Sequence, residues 1–317
     1  MIYITAFLLP LLIIILTGSK FILFIKKINF GQQIRKYGPE EHFKKSGIPT
    51  MGGLLIIGVF MIISVILVPL NLRTVSVLSA VFLMALTGFL DDFLKIKLER
   101  SLGLTALQKI AMQIAAALIP ALIIIFIIDT PPIIVPFLGS YQINPYLRFI
   151  FIIFVVTGTA NAVNLTDGLD GLAAGVTLIV TLAFAFLFYN YGIIDLMLLM
   201  LIMAGSCTAF LWFNANPAEI FMGDVGSLGI GGFLASAAVI SGTEIYLLII
   251  GFIYVIETLS VMLQVPYFKL TGGRRIFKMT PIHHHFELKG IAENKIVFRF
   301  IIITIIFSLL ALTSVLL

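Results

Sequence analysis

The chain has 317 residues, 61% hydrophobic and only 11% charged, with 20 Lys and Arg against 15 Asp and Glu for a formal net charge of +5. So little charge cannot keep a water-facing surface solvated, which excludes a soluble globular domain. A charge of +5 would point to a polyanionic partner in a soluble protein, but in a bilayer its distribution matters more than its total, and no nucleic-acid partner is expected.

Apolar runs of roughly 17 to 25 residues recur along the sequence, which predicts an all-α, polytopic integral membrane protein and not a barrel of alternating segments. Polar breaks divide them into ten candidate spans. The first, 2–25, lacks a basic leader and a small-residue cleavage pattern, so it reads as a span and not a signal peptide. A basic loop carrying KSGIPTMGG (45–53) leads into the second, 52–70.

The third, 74–90, ends on Asp91 and Asp92. Adjacent carboxylates after an apolar run repel each other and lose solvation, so they need a cation, a proton or water. Lys95, Lys97 and Lys109 follow as point charges for phosphate, and magnesium takes one or two carboxylates together with phosphate oxygens. A solvated helix end is the plainer alternative. After the fourth span, 108–128, the prolines, Gly139 and short apolar runs of residues 129–147 predict a small surface hairpin.

The fifth span, 147–162, runs into TGTANAVNLTDGLDGLAAG (157–175). Asn161 with Asn164 and Asp167 with Asp170 are i, i+3 pairs that share a face where the backbone is helical, and Gly168 and Gly171 permit close backbone approach. A helix cap would need fewer polar groups than these. The sixth and seventh spans are 172–188 and 194–213; Cys207, within the seventh, is read as a small buried residue. Next comes WFNANPAEIFMGDVGSLGIGG (212–232), with Asn214, Asn216, Glu219, Phe221 and Asp224. Asp224 lies beside Gly223 just before the eighth span, 228–242, where a metal or phosphate can meet backbone N–H groups and the positive helix end. Phe221 either stacks on a base or packs.

In the ninth span, 245–268, Glu257 should face the bundle interior, because a carboxylate at that depth costs about 3 kcal/mol, and Pro266 is the expected kink or break. The basic loop KLTGGRRIFKMTPIHHHFELKGIAENK (269–295) holds His283, His284 and His285, whose consecutive spacing does not make a tetrahedral zinc site. Beside Arg274 and Arg275 they suit phosphate, carboxylate or sugar contacts. The tenth span is 296–317.

Cytoplasmic loops retain lysine and arginine. If the first span exits into the cytoplasm, only Arg73 and Arg148 of the 20 basic residues fall outside. That orientation puts both termini outside and all four polar motifs at cytoplasmic helix ends of a single membrane domain, 1–317. A transporter is the competing class, but its charges are expected nearer the midplane of inverted repeats.

Taken in order, KSGIPTMGG, FLDDFLKI (89–96), NAVNLTDGLDG (161–171), FNANPAEIFMGDVGS (213–227) and MTPIHHHFELKG (279–290) resemble the polyprenyl-phosphate N-acetylhexosamine-1-phosphate transferases. PIHHHFE points to the branch with a muramoyl-pentapeptide donor, the sister UDP-GlcNAc enzymes being the alternative. The resemblance covers nearly the whole chain. It implies that UDP-MurNAc-pentapeptide and undecaprenyl phosphate give lipid I and UMP with Mg2+, in a ten-span homodimer of the bacterial plasma membrane with a broken ninth helix. It also implies Asp224 as the metal ligand and Asp91 and Asp92 as essential acids, with Lys109 and His283 in the catalytic set. Lys45, Asp170, Asn214 and Phe221 would meet uracil. Thr50, Asn161, Asn164, Asp167 and Gly223 would line the neighbouring nucleoside and sugar region, and Gln264, His284 and His285 the rest of the cleft.

Overall fold

The computed structural model describes residues 1–27, 47–98, 100, 102–128 and 130–316. Twelve helices and one hairpin make up the described residues: α1 (Ile2–Lys27), α2 (Gly53–Leu67), α3 (Leu72–Lys97), α4 (Ala106–Phe126), β1 (Ile133–Val135), β2 (Gly139–Tyr141), α5 (Pro145–Thr166), α6 (Leu172–Asn190), α7 (Ile194–Asn214), α8 (Gly223–Ser241), α9 (Glu244–Ile250), α10 (Phe252–Leu270), α11 (Ile282–Glu287) and α12 (Glu293–Leu316). Eight of them, α1, α3 to α8 and α12, are long and apolar enough to cross a bilayer, and α9 and α10 are so only when taken together, as a pair bent by 83°. Helix α2 is where the second span was expected, but its 15 residues reach only about 22 Å, short of a full hydrocarbon core.

Local chemistry sets the helix ends. Asn71 caps α3 by accepting from Thr74 N–H at 3.0 Å, and Thr105 and Gln108 form a reciprocal capping box at the start of α4. Asn144 caps α5 ahead of Pro145.

Three boundaries differ from the sequence reading. Helix α3 runs past the apolar stretch to Lys97, so Asp91 and Asp92 lie inside it, and α8 begins at Gly223, so Asp224 sits in its first turn. The break in the ninth span falls at Gly251, and α10 continues through Pro266. A Cβ at Gly251 would lie 2.7 Å from the Leu247 carbonyl oxygen, so the sharp turn is confined to a residue without one.

Helix α8 is almost wholly buried and packs against α2, α3 and α5. The small residues of GDVGSLGIGG let these backbones approach closely, as bilayer helices do where lipid offers no hydrophobic drive for association. Helices α3 and α5 run in one direction and α8 in the other, which gathers the ends of α3 and α5 and the start of α8 at one face. The opposite face carries the expected hairpin, with Ile133 opposite Tyr141 and Ile134 N–H donating to Gly242 O at 2.7 Å. There the fully buried Arg148 pairs with buried Glu244 and donates to Val239 O at 3.0 Å, tying α5 to the α8–α9 turn.

Candidate active site

Asp91, Asp92 and Asp224 come from two helices 132 positions apart in sequence, yet each offers an oxygen within 4.8 Å of the others, a group able to hold a metal ion. The approach depends on Gly88, one turn before Asp91, which sits directly on the Asp224 carbonyl. Each carboxylate has one oxygen fixed by the framework. Asp91 Oδ1 accepts from Leu104 N–H at 2.9 Å, Asp92 Oδ2 from Val225 N–H at 3.3 Å, and Asp224 Oδ1 from Asn164 Nδ2 at 2.7 Å. The other three oxygens face a cation: Lys95 Nζ lies 2.6 Å from Asp91 Oδ2, 3.4 Å from Asp92 Oδ1 and 2.9 Å from Asp224 Oδ2. Lys109 Nζ, at the start of α4, approaches Asp224 Oδ2 at 2.7 Å and Asp91 Oδ2 at 3.9 Å.

Two loops border this cluster. In the first, Gly223 N–H donates to the Asp167 carboxylate, whose pKa is nevertheless pushed up to about 8, by burial first and then by the negative charge of Asp224 and Asp92. Thr50 lies against Gly223, where a Cβ would meet its hydroxyl at 2.9 Å and Asp92 Oδ2 at 2.7 Å. The second loop is held by a short backbone pairing: Phe221 N–H donates to Pro49 O at 2.9 Å, and Gly52 N–H to Phe221 O at 2.8 Å. Phe221 itself is half-buried.

Other residues expected at the site also tie the scaffold together. Asp170 Oδ2 accepts from Asn216 Nδ2 and Ala218 N–H, each at 3.1 Å, and Asn214 links Gly171 N–H to Ile220 O. Both therefore join the 167–171 loop to the 215–222 loop. Asn161 exchanges amide hydrogen bonds with buried Gln113 at 2.7 and 3.3 Å, which ties α5 to α4 one turn below Asn164. Gln264 accepts from Ile276 and Phe277 N–H and donates to Phe277 O, so it anchors the basic loop. Lys45 lies outside the described residues.

The three histidines point different ways, as their consecutive spacing requires. His283 is fully buried with Nδ1 3.0 Å from Glu257 Oε1, and its Nε2 side abuts Gly168. Glu257 accordingly faces the bundle interior. His284 Nδ1 meets Glu287 Oε2 at 2.6 Å. His285 accepts from Lys278 N–H at 3.1 Å; slight burial and then the charges of Lys289 and Lys278 lower its pKa.

Sequence reasoning treated Lys95 only as a phosphate lysine, although its i, i+4 and i, i+3 spacing from Asp91 and Asp92 already put it on their face. Ser227, which accepts from Asn164 at 2.8 Å, and Glu293, which accepts from Asp170 N–H at 2.7 Å, carried no signal beyond being polar.

The chain matches known proteins along most of its length. Residues 74–242, which include α3 from Thr74 onward, the NAVN motif and all of α8, match the model described as glycosyl transferase family 4. Residues 45–57 match phospho-N-acetylmuramoyl-pentapeptide-transferase signature 1. Curated proteins named phospho-N-acetylmuramoyl-pentapeptide-transferase align along almost the whole chain. The one from Clostridium perfringens strain 13 is 47% identical over 300 residues, 94% of this chain and 93% of its own. That from Caldanaerobacter subterraneus subsp. tengcongensis is 44% identical over 306 residues, 95% of each chain, and that from Rubrobacter xylanophilus 46% over 304 residues. Identity of this extent, over a chain whose separated acidic motifs fold into one cluster at the helix ends, means that the chain belongs to the phospho-N-acetylmuramoyl-pentapeptide transferases of glycosyl transferase family 4.

Proposed function

We propose that the chain transfers the phospho-MurNAc-pentapeptide unit of UDP-MurNAc-pentapeptide to undecaprenyl phosphate, giving lipid I and UMP. The observation that carries this is the convergence of Asp91, Asp92, Asp224 and Lys109 beside the two loops that hold Asp167 and Phe221. The muramoyl donor is favoured over UDP-GlcNAc by the signature at residues 45–57 and by the relatives' names.

An oxygen of the lipid phosphate attacks the phosphorus that bears the sugar, and the bridging P–O bond breaks with its electron pair leaving on UMP. The second pKa of a phosphate monoester is near 6, so the acceptor is already mostly a dianion at pH 7 and gains little from a general base. The larger barrier is bringing one anion onto another, which favours direct in-line displacement governed by positioning and charge. Mg2+ fits the all-oxygen donor set of Asp224, Asp91 and Asp92, and when bound it neutralises diphosphate oxygens and the departing UMP. Lys109 adds a fixed positive charge on the same side. Asn164 keeps Asp224 aimed inward, while Asp170 and Asn214 hold the loops over which the nucleoside would lie, and the half-buried Phe221 is the aromatic residue available there for stacking.

Purified protein in lipid should release UMP from UDP-MurNAc-pentapeptide only when polyprenyl phosphate and Mg2+ are both added. Turnover with UDP-GlcNAc in its place, or none with all three components, refutes the assignment. The basic loops support one transmembrane domain with its active face and loops cytoplasmic and both termini outside; an N-terminal tag that reacts with an impermeant reagent only after lysis would contradict this. The homodimer rests on the family resemblance, and a monomer by native mass spectrometry would refute it.

A further inference from the structure

Lys95 occupies the point to which three carboxylates are aimed. Of the six oxygens of Asp91, Asp92 and Asp224, one on each residue is tied down by Leu104 N–H, Val225 N–H or Asn164. The remaining three all turn to Lys95 Nζ, at 2.6, 3.4 and 2.9 Å. Framework bonds therefore preset the orientation of each carboxylate, and an ammonium takes the position that a cation shared by all three would take. Lys109 differs: it sits to one side, 2.7 Å from Asp224 Oδ2 and 3.9 Å from Asp91 Oδ2, with no ion pair to Asp92 among the described residues. The Lys95 side chain is 31% exposed on a flexible stem, so it has a way out of the cluster.

We propose that Lys95 is a place-holding cation: it neutralises the triad before a divalent ion binds, and the incoming ion displaces it toward solvent and the substrate phosphates. The proposal rests on the reading of the triad as the magnesium site. Three carboxylates this close repel strongly in a partly buried site, and a resident ammonium lets the site fold without metal. The same ammonium competes with metal, so the device raises metal-free stability at the expense of metal affinity. Its displacement also couples metal arrival to release of a positive charge beside the diphosphate. Lys95 is thus a positioning residue in the metal-free protein.

The test measures Mn2+ binding by electron paramagnetic resonance on the full-length purified protein without substrate, for wild type, Lys95→Met and Lys97→Met. Methionine keeps the apolar stem and removes the charge; Lys97, whose ammonium lies 5.9 Å from the Phe93 ring centroid, controls for loss of a nearby charge. Lys95→Met should bind Mn2+ roughly tenfold or more tightly than wild type, while its melting temperature in EDTA falls below wild type and Lys97→Met changes neither. Wild type that binds Mn2+ while Lys95→Met binds equally or more weakly overturns the place-holding role and leaves the metal reading intact. Absence of binding in all three proteins overturns both. A second measurement needs no variant: amine acetylation of Lys95 in wild type, read by mass spectrometry, should rise several-fold when Mn2+ replaces EDTA. Unchanged or reduced labelling overturns the proposal.

Discussion

Gly88→Ala tests whether helix contact, rather than the carboxylates alone, sets the geometry of the site. A Cβ at Gly88 would fall on the Asp224 carbonyl group and lie 2.5 Å from Val225 N, whereas ordinary contact begins at 3.4 Å. Helices α3 and α8 must therefore separate or slide by more than 0.9 Å, from 3.4 − 2.5, because the Asp224 carbonyl atoms lie closer still, and they must do so about one turn before the residues that meet across them. Overpacking of this kind costs about 1–3 kcal/mol, offset by up to about 1 kcal/mol because alanine is the better helix former. The net stability loss is therefore modest, about 0–3 kcal/mol. Misplacing catalytic groups by about 1 Å costs on the order of 100-fold in rate. Initial rates of UMP release per folded molecule, measured with thermal unfolding in the same detergent, should thus show a large activity loss beside a modest stability change. Gly58→Ala and Gly158→Ala, where an added Cβ meets nothing within 4 Å, should keep full activity and gain up to about 1 kcal/mol. Gly88→Ala retaining more than half of wild-type activity would refute the reasoning.

Asp224→Asn removes a charge and a ligand oxygen while keeping the side chain's shape, and should weaken Mn2+ binding by at least roughly tenfold, the scale of losing even an outer-shell partner; unchanged affinity by paramagnetic resonance would move the metal elsewhere. Glu244→Ala leaves Arg148 buried and uncompensated, which should cost about 3–5 kcal/mol of stability with the rate per folded molecule retained, and a melting temperature equal to wild type would show that the pair does not pin α5. The Asp167 carboxyl, raised from 3.8 to about 8, holds a proton in the folded metal-free protein that the unfolded chain has already lost. Its contribution is therefore fully present below about pH 4 and is lost as pH rises through about 8. Melting temperature in EDTA should fall between pH 5 and 9, and Asp167→Asn should flatten that slope; an unaltered slope in the variant would remove Asp167 as its source.

Composition and the length of the apolar runs determined the all-helical membrane fold, because a bilayer forces every backbone polar group into internal hydrogen bonds and leaves long helices as the economical answer. The hairpin after α4 and the acidic motifs near helix ends were legible because proline, glycine and charge interrupt apolar runs, and the interior position of Glu257 because a carboxylate facing lipid is costly. Motif resemblance carried the family. What the sequence did not determine were relations between helices. Apolar length ended the third span before Asp91, but the helix continues to Lys97 because carboxylates and lysines satisfy one another across it. Proline predicted the break at Pro266, yet packing moved it to Gly251, where the missing Cβ gives the backbone room to turn. The family resemblance implies Asp170, Asn214, Asn161 and Gln264 as substrate contacts, and only tertiary structure adds that their hydrogen bonds also bind loop to loop or helix to helix. Lys95 likewise acquired its place among three carboxylates only when α8 packed onto α3, since Asp224 is 129 residues away in the chain.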